Sequence, residues 1–342
     1  MKTLLKVLVL GAASVFFFLP VGYAQTLPAD DTPAAKIHVE NARVIGGDDM
    51  ALAARLLCMP SRQTINFMLA DGEANPPEEP YKVFDNLYFV GGRSVTAWAI
   101  DTSEGIVLID AMNDEQLAQD YIVAGLEKMG LDPDDIIYVI VTHAHGDHYG
   151  GSEYLRDTFG ARLAMSDADW KVLEDQRSGI AAASNPRWGA GPERDITLAD
   201  GQKLTFGDTE LTILITPGHT LGTISLLMPV KDNGVIHQAA LWGGTGQPAA
   251  GERSDMYEES LARFSAITAE VGVDVVLSNH PLVDGTIAKL EEYKANPTAA
   301  NPFIVGEANY RRYLAILNEC LLAARARPPQ NFSRPPSASE AR

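Results

Sequence analysis

An α/β architecture is predicted for this 342-residue chain from three observations. Short apolar, β-branched runs alternate with segments of helical period. Gly-, Pro- and Asp-punctuated loops close each run. Side chains able to bind metal fall just past the ends of those runs, where open α/β sheets gather their ligands.

Residues 82–90, 94–100 and 105–109 alternate or run apolar as strands do. Residues 113–129 have helical period and stop at Gly130, a left-handed terminator. The β-branched run 136–142 reads as a buried strand, and the stretch richest in histidine begins at its end. A second round follows, with strands at 211–216, 223–228 and 235–242, a helix at 254–271 and a strand at 273–277. His219 and His280 then lie just beyond strand ends, as the first histidines do. Upstream, 25–80 is an arm rich in Ala, Pro and Asp with one helical stretch at 49–57, closed by Pro-Pro-Glu-Glu-Pro at 76–80. Downstream, a helix is expected over 303–325 within a C-terminal segment 296–327 that packs on the main unit 81–295. A Pro- and Ser-rich tail, 328–342, carries too little apolar content to fold.

The first 24 residues read as a secretory signal: Lys2 and Lys6, an apolar run over 8–20, then Gly22-Tyr23-Ala24. The run is shorter than the ~20 residues a membrane span needs. A mature protein of about 318 residues (342 − 24), starting near Gln25 and periplasmic or secreted, is the expectation. A retained N-terminal anchor is the plainer alternative. Removing Lys2 and Lys6 leaves 25 basic residues (27 − 2) against 45 acidic, a balance of −20. Such a surface repels nucleic-acid backbone and anionic membrane, so neither is an expected partner. Cys58 and Cys320 are the only cysteines and lack metal-ligand spacing. An exported chain can pair them, tying the arm to the C-terminal helix; two buried thiols are the other reading.

The chemistry concentrates at 141–151, Val-Thr-His-Ala-His-Gly-Asp-His-Tyr-Gly-Gly. Three of the seven histidines of the chain stand in this loop, beside Asp147. Imidazole and carboxylate are both zinc donors, and such density rarely serves packing. His143 and His145, two apart in extended chain, direct their rings to one side; His219 completes a three-histidine site with one position open, as catalytic zinc requires. Asp147, His148 and His280 form a second site. Two zinc ions ~3.5–4 Å apart can activate a hydroxide and polarise a substrate oxygen. Asp147 is the candidate catalytic residue, positioning the nucleophile as well as binding metal. Asp110, ending the run Gly-Ile-Val-Leu-Ile-Asp, is either an acceptor orienting the histidine loop or a plain strand-end cap. His38 and His237 stand apart from this pattern. Tyr149, Arg187, Trp188 and Trp242 are candidate pocket residues, with packing or solvation an equal reading for each; Trp98 belongs to a core.

His-Ala-His-Gly-Asp-His, then Thr-Pro-Gly-His and a late Ser-Asn-His, resemble the metallo-β-lactamase superfamily over roughly 80–295. The resemblance implies an αββα four-layer sandwich with two Zn2+ per chain at one edge of facing sheets. Many superfamily hydrolases carry an Asp bridging both metals; the similar stretch here reads Leu241-Trp242-Gly243-Gly244-Thr245, with Gly244 at that position. No Cys is available as an alternative ligand. Three His on one metal and Asp, His and His on the other look like the third subclass of metallo-β-lactamases. With one carboxylate ligand and one hydroxide, two Zn2+ leave +2, which favours an anionic or strongly polarised acyl substrate. The expected function is therefore an exported dizinc hydrolase opening a cyclic amide by metal-bound hydroxide attack on a small-molecule acyl substrate. A lactonase or esterase on the same centre is the alternative. A phosphodiesterase, or a metal-storing binding protein with no turnover, ranks below both.

Overall fold

The computed structural model describes residues 31–60, 77–179 and 191–328. The signal-like segment, residues 61–76, Arg187, Trp188 and nearly all of the tail lie outside the described residues.

Two sheets form the centre. The first has seven strands in chain order: β1 (Tyr81–Phe84), β2 (Leu87–Gly91), β3 (Thr96–Thr102), β4 (Gly105–Ile109), β5 (Ile136–Ile140), β6 (Arg162–Ser166) and β7 (Ile196–Leu198). The pairings β1–β4 are antiparallel and β4–β7 parallel. The second sheet runs β12 (Val275–Leu277), β11 (Val235–Leu241), β10 (Ile224–Asp232), β9 (Thr209–Ile215) and β8 (Lys203–Phe206). Only β11–β12 is parallel there.

Strand alternation assigns the faces. Phe89, Trp98, Ile100, Val107 and Ile109 meet Leu211, Ile213, Ile224, Leu226 and Leu241 in one core between the sheets. Their neighbours Tyr88, Val90, Ala97, Ala99, Ile106 and Leu108 point the other way, into a core under the helices of the first sheet. Leu214, Leu227, Ala240, Trp242 and Val276 do the same on the second sheet. A sheet with two apolar faces needs cover on both. Helical segments Glu115–Leu117, Ala118–Val123, Ala124–Lys128, Ser152–Phe159 and Asp167–Arg177 cover one side. Pro33–Gly46, Ala51–Leu57, Glu252–Glu270 and Glu307–Arg325 cover the other. The result is the expected αββα sandwich.

The N-terminal helices are fastened to the last helix by a Cys58–Cys320 disulfide across 262 residues of sequence. A buried ion pair assists: Arg327 donates to both Asp31 oxygens at 2.6 and 2.9 Å and to the Cys58 carbonyl at 2.7 Å. No described helix is long and apolar enough to cross a membrane.

Several boundaries differ from the sequence reading. The run 82–90 is a hairpin, because Asp85 and Asn86 are drawn to the second sheet: Asp85 N–H donates to Lys231 O and Asn86 Oδ1 accepts Lys231 N–H. Residues 33–46 are helical although only 49–57 was expected to be, their Thr32 hydroxyl capping Ala35 N–H. Helix 113–129 is a composite, with a π-helical stretch at Ala118–Val123. The helices Ser152–Phe159, Asp167–Arg177 and Thr286–Ala295, and the short strands β6, β7 and β8, carry weaker periodicity and were not anticipated.

Candidate metal centre

Four strand ends deliver the site. β4 leads into Asp110, β5 into Thr142–His148, β9 into His219, and β12 into Asn279–His280. All six sequence-predicted residues meet, in two triads: His143, His145 and His219, and Asp147, His148 and His280, with candidate ligand atoms within 4.8 Å of one another in each. The triads adjoin, with the His143 and His148 rings 4.1 Å apart. The loop between His143 and His145 is bent, not extended: His145 N–H donates to His143 O at 2.9 Å. The bend still aims both rings together, at 4.7 Å between centroids.

Hydrogen bonds fix the tautomers. His219 Nδ1 faces the Gly246 carbonyl at 2.8 Å and His280 Nδ1 the Ser94 carbonyl at 2.9 Å. A carbonyl only accepts, so each Nδ1 carries the proton and each Nε2 presents a lone pair. His148 Nδ1 donates likewise to Asp110 Oδ2 at 2.7 Å. Thr142 Oγ1 donates to Asp110 Oδ2 at 3.0 Å and so accepts from His143 Nδ1 at 3.1 Å.

That arrangement sets one acceptor against another: the lone pairs of His219 Nε2 and His143 Nε2 face each other at 3.2 Å, with His145 Nδ1 equally close to His219 Nε2. In the second triad, His148 Nε2 and Asp147 Oδ1 are buried with no hydrogen-bond partner. Orphaned buried donors and acceptors are costly, and converging lone pairs repel. A cation between them removes both costs, so the residues present fit two metal ions with nitrogen-rich coordination.

Burial pushes His143 and His219 well below the ordinary histidine pKa and His145 down to about 4; burial is also the main cause that lowers His280. All four are thus neutral and ready to ligate near pH 7. Burial raises the Asp147 carboxyl, but the facing His148 and His280 outweigh it and the net shift is downward. His148 moves up, since the Asp147 and Asp110 carboxylates overcome its burial.

Asp110 is an orienting acceptor. It is fully buried, sits at φ 64°, and accepts Thr142 N–H at 2.7 Å as well as the three groups of Thr142, His148 and Asn279 on its other oxygen. A non-glycine residue holds a positive φ only when its surroundings over-determine it, and here they do. Asn279, missed in the sequence, donates toward Asp110 Oδ2, Thr142 Oγ1 and Gly243 O at 3.0–3.2 Å, joining the ends of β4, β5 and β11. Asp169 was missed too, because a lone Asp in a helical segment carries no local signal. It is buried, and its carboxylate accepts the N–H groups of Ala144 and Gly222 and the Thr220 hydroxyl. Burial pushes its pKa up, against the pull of those donors.

Gly244 stands at the position where the resembling hydrolases carry a bridging Asp. A Cβ there would fall inside 3.0 Å of His219 Cβ, so His219 occupies the space such a side chain would need. Trp242 is buried, with its indole N–H near Gly244 O and the Tyr257 hydroxyl at 2.8 and 2.9 Å, so it braces the glycine loop from behind. Tyr149 is buried as well, and Trp98 donates to Ser278 O from the central core. His38 and His237 lie elsewhere, paired with Glu319 and Asp274.

Comparison with known proteins agrees with this geometry. Residues 90–232 match the family model of the metallo-beta-lactamase superfamily. A subclass B3 metallo-beta-lactamase of Bradyrhizobium japonicum superposes with a TM-score of 0.59 at 31% identity, over 70% of this chain and 90% of that one. A hydroxyacylglutathione hydrolase of Cereibacter sphaeroides is 27% identical over 188 residues, 54% of this chain and 65% of the relative. An N-acyl homoserine lactonase of Bacillus cereus is 24% identical over 257 residues, 66% of this chain and 87% of the relative. The chain spans about half the length of other hydroxyacylglutathione hydrolases that it matches, 52% in two of them. With its αββα layers, its paired triads at one sheet edge and its extended likeness to the Bradyrhizobium enzyme, the chain belongs to the metallo-beta-lactamase superfamily.

Proposed function

We propose that the protein is an exported, dizinc hydrolase that opens cyclic amides of the β-lactam type. The observation that carries this reading is the pair of triads with a single carboxylate, Asp147, and no bridging Asp. His143, His145 and His219 would hold one zinc ion; Asp147, His148 and His280 would hold the other. When bound, the two ions supply Lewis acidity at the acyl carbonyl and make water nucleophilic near neutral pH.

The remaining work falls to the chain. As ligands the five histidines would be neutral and bring no charge, so the centre stays more electropositive than one with a bridging carboxylate and favours an anionic acyl substrate. Asp147, whose side chain is 22% exposed, reaches solvent and offers a carboxylate oxygen to the proton of the attacking nucleophile. Asp110 holds His148 in its Nε2-presenting tautomer and spares it reorientation during turnover. The likeness to the subclass B3 enzyme supports the lactam reading.

A lactonase or esterase is the second reading, favoured by the lactonase and hydroxyacylglutathione hydrolase relatives. Both attack an acyl carbon, so one assay separates them. Hydrolysis of a chromogenic cephalosporin and of a lactone panel is compared with and without chelator. A chelator-sensitive lactone activity beside an untouched cephalosporin would reverse the ranking. Metal analysis should give close to two equivalents of zinc; one equivalent, unchanged in His148→Ala, would sink the dinuclear centre. Export is supported by the signal-like start and by the disulfide, a bond of oxidising compartments. Mass analysis of protein from the periplasm should place the mature N-terminus near Gln25.

A further inference from the structure

The two triads share a design problem that the first solves with a residue outside the site. His148 is oriented by a direct bond to Asp110, whereas His143, His145 and His219 come from two loops on different sheets. Something must set the distance between those loops to a few tenths of an ångström, the tolerance of a metal–nitrogen bond.

Asp169 touches both. Its Oδ2 accepts the N–H of Ala144, the residue between His143 and His145, at 2.9 Å. The same oxygen accepts the hydroxyl of Thr220, next to His219, at 2.8 Å. Its Oδ1 accepts Gly222 N–H at 3.1 Å. The carboxylate sits on helix Asp167–Arg177, which contributes no candidate ligand, and that helix is itself fixed. Ser166 Oγ accepts Asp169 N–H at 3.3 Å, and the Trp170 indole donates to Ile196 O at 2.7 Å. Gly222 allows the close approach, since a Cβ there would lie 2.8 Å from both Asp169 N and Oδ1.

Charge gives a second reason for a carboxylate at this place. Asp169 is fully buried, and Arg253 acts on it through space rather than through a hydrogen bond. A buried anion without a contacting cation is costly, and a neutral amide could satisfy some of the same donors. A dication in the three-histidine half-site would have no anionic ligand of its own, while Asp147 and Asp110 serve the other half. A buried carboxylate one bond behind the histidine loops offsets that dication.

We propose that Asp169 is the positioning residue of the three-histidine half-site, spacing its two ligand loops and balancing the charge of its metal. The proposal rests on the reading that these histidines hold a metal, so wild-type protein is measured beside each variant. Zinc occupancy is read separately at the two positions from anomalous diffraction of crystals equilibrated at graded zinc, with dissociation constants from competition against a chromogenic chelator. In Asp169→Asn the three-histidine position should lose zinc affinity by about 10–100-fold. The Asp147–His148–His280 position should fill as in wild type, and the thermal midpoint in excess chelator should stay close to the wild-type value. Both positions filling normally would overturn the proposal. So would equal loss at both with a parallel fall of the metal-free midpoint, the mark of a purely structural role. Should Asp169→Asn fail to fold, Thr220→Val removes one donor and keeps the carboxylate. It should weaken the same position alone, and unchanged occupancy would refute the assignment. Wild-type protein taking no zinc at either position would overturn the metal reading itself, and Asp169's role with it.

Discussion

Replacing Gly244 by alanine tests whether the missing bridging Asp is enforced by packing. The new Cβ would fall inside 3.0 Å of His219 Cβ and 3.1 Å from both His219 Cγ and Thr223 Cγ2. Carbon atoms rest at about 3.5–4.0 Å, so the loop and the root of His219 must part by roughly 1–1.5 Å. Neither side can yield cheaply: His219 is tied to Gly246 O, and the loop is braced by Trp242. Overpacking of this kind costs about 1–3 kcal/mol of stability. The larger effect is on ligation, because a metal site tolerates about 0.2 Å. A displacement several times that should reduce zinc affinity at the three-histidine position about 10–100-fold, with a fall in hydrolysis to match. Zinc content after gel filtration, and activity titrated against free zinc, read both effects. Gly244→Asp should behave worse, not better. Two tightly held zinc equivalents and near wild-type activity in either variant would refute the reasoning.

Asp284 supplies a pH prediction. Burial pushes its carboxyl to about 6 from 3.8. The folded state therefore keeps a proton that the unfolded chain sheds, and stability should fall by up to about 3 kcal/mol as pH rises from 3.8 to 6, then level off. Asp284→Asn should be more stable than wild type at pH 7 and should lose that contribution to the slope; urea unfolding at pH 4.5 and 7 measures both. Replacing Cys58 and Cys320 together by serine should cost about 2–5 kcal/mol without changing zinc content, read by thermal unfolding with and without reductant. Arg327→Ala strands the buried Asp31 carboxylate and should cost about 3–5 kcal/mol; limited proteolysis should then open the N-terminal helices first, and an unchanged digestion pattern would count against the clasp.

The metal ligands were legible because histidine is scarce in this chain and strand ends are marked by abrupt changes of composition. His143, His145, His219 and His280 each follow an apolar run, and strand register alone brings such ends to one edge. The layer order was legible only through family resemblance; periodicity showed strands and helices, not which sheet each joins. Asp169 and Asn279 were invisible for a different reason. Their roles depend on partners 25 to 169 positions away, and nothing in their own neighbourhoods departs from an ordinary helix or loop. The hairpin at Asp85–Asn86 was missed because its cause is a contact with β10, again distant in sequence. The pairing of Cys58 with Cys320 was one of two open readings, and the bond is present.

Each triad draws on both sheets: His143, His145, Asp147 and His148 follow β5 of the first, while His219 and His280 follow β9 and β12 of the second. Neither sheet alone holds a half-site. A metal that binds here is therefore a rivet across the sandwich, and its affinity adds to the docking of one sheet on the other as RT ln(1 + [metal]/Kd). A chain with only one sheet formed would have little with which to sequester zinc. Metal capture and closure of the two layers would then reinforce each other, and stripping zinc should loosen a sandwich that its apolar core still holds together.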